Sequence, residues 1–248
     1  MEKNVIKKMT MEEALESLLE KYGLTANKPF PLTPGYHLLD DPSAANDVPL
    51  LSWRLSRPFV ELRNIVENQV VEHPCLFRFS CLASREQGAS LQALIYREAD
   101  LFEYIGGGKI ASVFAVWDAS RSVNLILKLD NGRLCSVEIS RQLPPDTAMQ
   151  ERHEIIGRRG TASDRVVDTQ VNQHSISFFR QDGTQQYTDT DMELFGFNPQ
   201  DTELIRGAWA LYNDGGLRDV WRDQHTHLVQ VVEAAVASGE KNQKIHLT

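Results

Sequence analysis

Apolar residues fall at helical spacing at both ends of this chain and alternate in its middle. Residues 11–22 form the first amphipathic stretch. Thr10 is placed to cap it, Glu12 and Glu13 sit in its first turn, and Gly23 supplies the stop. Five prolines between Pro29 and Pro49 predict a mostly irregular segment, with room for a short helix at 36–39. A second helix is expected over 59–67, with Pro58 in its first turn. At Cys75 the period changes to that of a strand through Ala83. A helix over 91–105 follows, closed by Gly106, Gly107 and Gly108. Strands are then expected at 110–119, 123–129, 133–140, 153–156, 166–168 and 175–180, with a short one at 185–188. Asp130-Asn131-Gly132 and Asp182-Gly183 are tight-hairpin signals between strand-like runs. Helices over 201–212 and 220–238 close the chain. In the second of them, Val220, Leu228, Val231, Val232 and Ala235 share or border one face.

Strands joined by short turns, with helices gathered before and after them, define an α+β class. The expected architecture is an open, mostly antiparallel sheet with helices packed on one face. Residues 1–48 read as a helix plus a proline-rich segment, and 49–248 as the α+β domain. The strand starting at Ile110 carries apolar residues on both of its faces, so it wants cover on both.

Composition narrows the function classes. Of 248 residues, 42% are hydrophobic and 24% charged, which suits a globular domain able to bury a substantial core. A net charge of −8 argues against nucleic-acid binding, which needs clustered Lys and Arg. No apolar run reaches the ~20 residues of a membrane span, and the N-terminus has no signal-peptide core, so the expected location is cytoplasmic. Cys75, Cys81 and Cys135 have no zinc spacing and read as small core residues. In His225-Thr226-His227 the two imidazoles diverge by about 200° on a helix and cannot grip one metal. No metal is expected.

The helix at 91–105 reads Gln92-Ala93-Leu94-Ile95-Tyr96-Arg97-Glu98-Ala99-Asp100-Leu101-Phe102-Glu103-Tyr104-Ile105. It resembles the catalytic helix of the glucose–fructose oxidoreductase, inositol dehydrogenase and MocA family, roughly D-x-x-x-H-D-x-D-L-x-x-Y-L. The family's catalytic Asp and His fall on Ala93 and Arg97, while Asp100, Leu101 and Tyr104 match. Asn27-Lys28-Pro29 is similar to the Glu-Lys-Pro segment ending the family's Rossmann domain, with Asn27 in place of Glu. Further likenesses are Val48 to Arg54, Gly107 to Val113, Ser136 to Arg141, and His153 to Gly160. The likeness therefore runs from Asn27 to the C-terminus. It implies the family's C-terminal substrate domain, with residues 1–48 containing a remnant of a Rossmann-domain end.

Alcohol oxidation needs a base to take the hydroxyl proton. Ala93 binds no hydroxyl, and Arg97 stays protonated at ordinary pH. No catalytic residue is therefore expected, although the family positions match Lys28, Ala93 and Arg97. Lys28, Tyr96, Arg97 and His174 are the ligand-binding candidates. Against a ligand role, Arg97 has the alternative of an ion pair with Glu98 or Glu86, and Lys28 and His174 that of ordinary structural residues. Asp100 is expected to brace its helix. The glycine triplet Gly106-Gly107-Gly108 precedes a strand, whereas the glycines of a dinucleotide turn follow a strand and precede a helix. No cofactor is expected on this chain alone, with NAD(P) present only where a partner supplies a Rossmann domain.

The expected role is that of a stand-alone substrate-domain homologue, acting as a sugar-binding or assembly module. The alternative is a subunit of a split NAD(P)-dependent oxidoreductase. Expected partners are further copies of the chain, joined through the open sheet face, and a full-length dehydrogenase or separate Rossmann subunit. Membrane and nucleic acid are not expected.

Overall fold

The computed structural model describes residues 9–24, 32–39, 48–85, 89–118, 120–164, 194 and 196–247, together with the backbone of 176–180 and 183–187. Lys28, His174 and the expected strand at 166–168 lie outside the described residues.

Helix α1 (Met11–Lys21) begins with a capping box. The Thr10 hydroxyl accepts from the Glu13 amide, and the Glu13 carboxylate accepts from the Thr10 amide. Its face of Ala14, Leu15, Leu18 and Leu19 joins the same hydrophobic core as the rest of the chain. A 3₁₀ turn at Gly35–Leu39 stands in the proline-rich segment, and another spans Ser52–Leu55. Helix α2 (Arg57–Glu67) follows, with Pro58 in its first turn, as the sequence predicts.

Strand β1 (Leu76–Ser84) leads to helix α3 (Leu91–Gly106), capped by the Ser90 hydroxyl and closed by Gly107 in the left-handed conformation. Next come β2 (Ile110–Asp118), β3 (Ser122–Leu129) and β4 (Leu134–Leu143). At the β3–β4 turn Gly132 has φ +89°, a value that suits glycine. Strands β5 (Gln150–Gly157) and β6 (Gly160–Ser163) come next, then the separate hairpin β7 (Ile176–Arg180) and β8 (Gly183–Tyr187). Helices α4 (Pro199–Asn213) and α5 (Leu217–Lys241) precede a two-residue strand, β9 (Ile245–His246).

The seven-stranded sheet has the order β6-β5-β1-β4-β3-β2-β9. Every neighbouring pair is antiparallel except β1 and β4, which run parallel. The class is α+β with an open, mostly antiparallel sheet, and β2–β3–β4 form the expected meander. Helix α3 packs over β1, β3 and β4, and α5 over β2. The covered face supplies Phe77, Phe79, Cys81, Val113, Leu125, Leu127, Val137 and Ile139, all buried. The alternate residues Leu76, Val116, Ile126 and Leu134 stay exposed on the other face. Among the described residues no helix is long and apolar enough to cross a membrane.

Three expectations need correction. Cys75 is exposed, because it lies just ahead of β1; Cys81 and Cys135 are the core cysteines. Val220 is exposed, and Trp221 takes the buried place in the first turns of α5. Strands β6 and β9 were not expected, since each is short and polar or terminal.

Candidate functional site

Helix α3 is buried on almost every side, although it contains Tyr96, Arg97, Glu98, Asp100 and Glu103. Burying a charge is costly unless it is paired and hydrogen-bonded, so each of these groups must find its partner inside.

Asp100 accepts from Trp53 Nε1 at 2.6 Å and from Arg54 Nε at 2.9 Å, with Arg54 Nη2 closing a two-pronged pair. It braces α3 against the 3₁₀ turn at Ser52–Leu55, as expected. Glu103 accepts from the Ile110 amide at 2.6 Å and from Gln224 Nε2, and its Oε1 lies 2.7 Å from His227 Nε2. Tyr96 Oη lies 2.8 Å from His225 Nδ1. His225 and His227 thus serve different partners, as an i, i+2 pair on a helix must.

The fourth cluster surrounds the position matched to the family's catalytic His. Arg97 Nη1 donates to Glu98 Oε1 at 2.9 Å and to Glu151 of β5. Glu98 Oε2 lies 3.0 Å from His153 Nε2, whose Nδ1 lies 2.5 Å from Asp164. Carboxylates at both ring nitrogens require both to donate, so His153 is an imidazolium. Burial opposes that charge, but Glu98 and Asp164 outweigh it and raise the His153 pKa to about 9. Burial likewise opposes the charge on Glu98, yet His153 and Arg97 hold its carboxyl below the usual range. Burial would weaken Arg97 as a cation, but Glu151 and Glu98 push its pKa up. Phe59 and Phe79 pack edge-on against the imidazole and help to exclude water.

Cys81 Sγ and carboxylate oxygens of Glu98 and Glu151 lie within 4.8 Å of one another, a spacing that suits a cation. The cations beside these carboxylates are already Arg97 and His153. Burial also pushes the Cys81 thiol well above its ordinary pKa, away from the thiolate that binds metals. As a unit the cluster is an internal charge lock.

Of the four candidate ligand residues, the structure brings Tyr96 and Arg97 into one helix, each engaged by other side chains. Lys28 and His174 lie outside the described residues. Ala93 is buried. Sequence reasoning anticipated the Glu98 partner of Arg97 but missed Glu151, His153 and Asp164. An isolated Glu151-Arg152-His153 run at a strand start carries no signal for a lock with a helix some fifty residues earlier. Two hollows lie elsewhere among the described residues. One, of about 460 Å³, is bounded by the first turn of α3, Trp117, Arg141 and the end of α5. The other, of about 420 Å³, lies on the open sheet face beside Arg78, Ser80, Glu138 and Arg152.

No protein-family model matches the chain. No curated protein matches it either. Solved structures do. A probable dehydrogenase from Thermotoga maritima superposes with a TM-score of 0.58 at 18% identity, covering 88% of this chain and 71% of that one. The fold is shared with inositol dehydrogenases too. A putative myo-inositol dehydrogenase from Sinorhizobium meliloti gives 0.56 at 16% identity, over 81% of this chain and 65% of that one. The scyllo-inositol dehydrogenase from Lactobacillus casei, solved with bound NAD(H) and scyllo-inositol, gives 0.59 at 12% identity, over 96% and 70%. The chain thus spans roughly two-thirds of the length of these dehydrogenases, and the resemblance read from α3 is matched by the fold.

Proposed function

We propose that the chain is a non-catalytic homologue of the substrate domain of NAD(P)-dependent sugar or polyol dehydrogenases, and that it acts as an assembly module in the cytoplasm. The carrying observation is the state of Arg97. In the place where the resemblance puts a proton-accepting His stands a buried guanidinium held by Glu98 and Glu151. Its pKa is pushed upward by those carboxylates, so it cannot take a proton from an alcohol. Ala93 supplies no second polar group. Within this lock only Nη1 of Arg97 is engaged, but the side chain is buried, so a sugar hydroxyl has little access to its other donors, which favours assembly over sugar binding.

The assembly surface is the open sheet face, where Leu76, Val116, Ile126 and Leu134 are exposed among Arg78, Ser80, Glu138 and Arg152. A face of this mixed character suits a second copy of the chain or the equivalent sheet of a full-length dehydrogenase.

The test is NADH and NADPH production from a panel of inositols and hexoses, by the protein alone and with a separately supplied Rossmann-domain partner. No turnover is expected. Removing a general base costs about a hundred- to ten-thousand-fold, so a sustained rate typical of an enzyme would overturn the proposal. If that rate also vanished on Lys28→Ala, the split-oxidoreductase reading would replace it.

A further inference from the structure

We propose that the cavity at the N-terminal end of α3 binds a small organic carboxylate with a flat apolar body. Its volume of about 460 Å³ falls in the range of small-ligand sites. It shares no residue with the Arg97 cluster and is independent of the function proposed above.

The apolar walls are Leu91 of α3, Val236 of α5 and the indole of Trp117. The indole is fixed from two directions. Its Nε1 donates to the Ala235 carbonyl at 3.1 Å, and its ring lies so close to Gly239 that a methyl there would collide with it. Gly239 therefore lets α5 approach the ring closely, and Trp117 becomes a rigid platform on which a planar group can stack.

The charge in the cavity is Arg141 of β4. Its Nη2 donates to the Arg85 carbonyl at 3.1 Å, which anchors one corner of the guanidinium. Among the described residues its remaining donors meet no acceptor, and Nε is buried without one. A guanidinium with one corner anchored and its other donors unanswered beside an aromatic wall is suited to a planar carboxylate, which accepts in the same plane as the fork donates. Glu240 stands exposed at the rim and disfavours a second anionic group at the mouth. A monocarboxylate therefore fits better than a dicarboxylate or a phosphate.

The experiment is calorimetric titration of the full chain with 3-phenylpropanoate, its primary amide and phenylsuccinate, up to about 10 mM. The monocarboxylate should bind saturably. The amide should bind at least ~10-fold more weakly, because it gives up the charge-assisted bond, and the dicarboxylate should also bind more weakly. Arg141→Gln should reduce monocarboxylate affinity by a similar factor, and Val236→Trp should abolish binding by filling the hollow. Thermal melting of both variants without ligand controls for folding. If Val236→Trp fails to fold, the acid-to-amide ratio and Arg141→Gln still decide. The proposal is overturned if the wild type shows no saturable binding, if acid and amide bind equally, or if Arg141→Gln binds as tightly as the wild type.

Discussion

The two faces of the seven-stranded sheet are drawn from the same strands and fare differently. On the covered face, Phe77, Phe79, Leu125, Leu127, Val137 and Ile139 are buried beneath α3 and α5, and the charged groups reaching that layer are locked in pairs. On the other face, Ile126 and Val116 are 44% and 55% exposed, beside ion pairs such as Arg78–Glu154 at 3.7 Å. One face is a finished interior. The other mixes charged groups with exposed apolar area.

The comparison breaks most readily through the core. Phe79→Ala should destabilise the fold by about 3–5 kcal/mol, through lost burial plus a cavity. Ile126→Ala on the open face should stay within about 0.5 kcal/mol for the monomer. Denaturant unfolding of both variants at low protein concentration checks this, and equal losses would mean that the open face is covered from within.

The ion pairs give a second contrast. Glu98→Ala leaves Arg97 and His153 buried beside a missing carboxylate and should cost about 3–5 kcal/mol. Glu154→Ala removes a partner from the partly exposed Arg78 and Arg152 and should cost at most about 1 kcal/mol. The same unfolding curves decide.

A third contrast is in pH. His153 titrates near 9 in the fold and near 6.5 when unfolded. Its folded pKa is the higher, so the stabilisation is complete below about pH 6.5, declines as pH rises and is gone once pH passes about 9. Glu98 reports on the same pairing from the acid side: its folded pKa is lowered, so its share is lost as pH falls through the carboxylate range. The melting temperature should therefore fall between pH 6.5 and 9, and His153→Phe should flatten that slope. A wild-type melting temperature constant across this range would contradict a charged His153.

Much of this arrangement is legible in the sequence where physics is local. Thr10 and Glu13 announce a helix start through neighbours three residues apart, and Asn131-Gly132 announces a turn through the positive φ that glycine tolerates. Alternation in β2 and β3 gives the two faces. What is not legible is non-local. The parallel β1–β4 pairing joins strands separated by α3 and a hairpin, and no local pattern specifies it. Arg97 was open to a ligand role or a surface pair. Its burial follows from packing by α2 and β5, and its second partner, Glu151, lies 54 residues away. The Trp117–Gly239 contact likewise depends on how α5 crosses β2.

The central proposal is that the chain carries no catalysis of its own and associates through the open sheet face. Sedimentation velocity across a dilution series, for the wild type and for Ile126→Lys with Val116→Lys, tests it most directly. The account predicts a reversible oligomer for the wild type at tens of micromolar and a folded monomer, with unchanged circular dichroism, for the double variant. A wild type that remains monomeric throughout, or a double variant that associates as the wild type does, would contradict it.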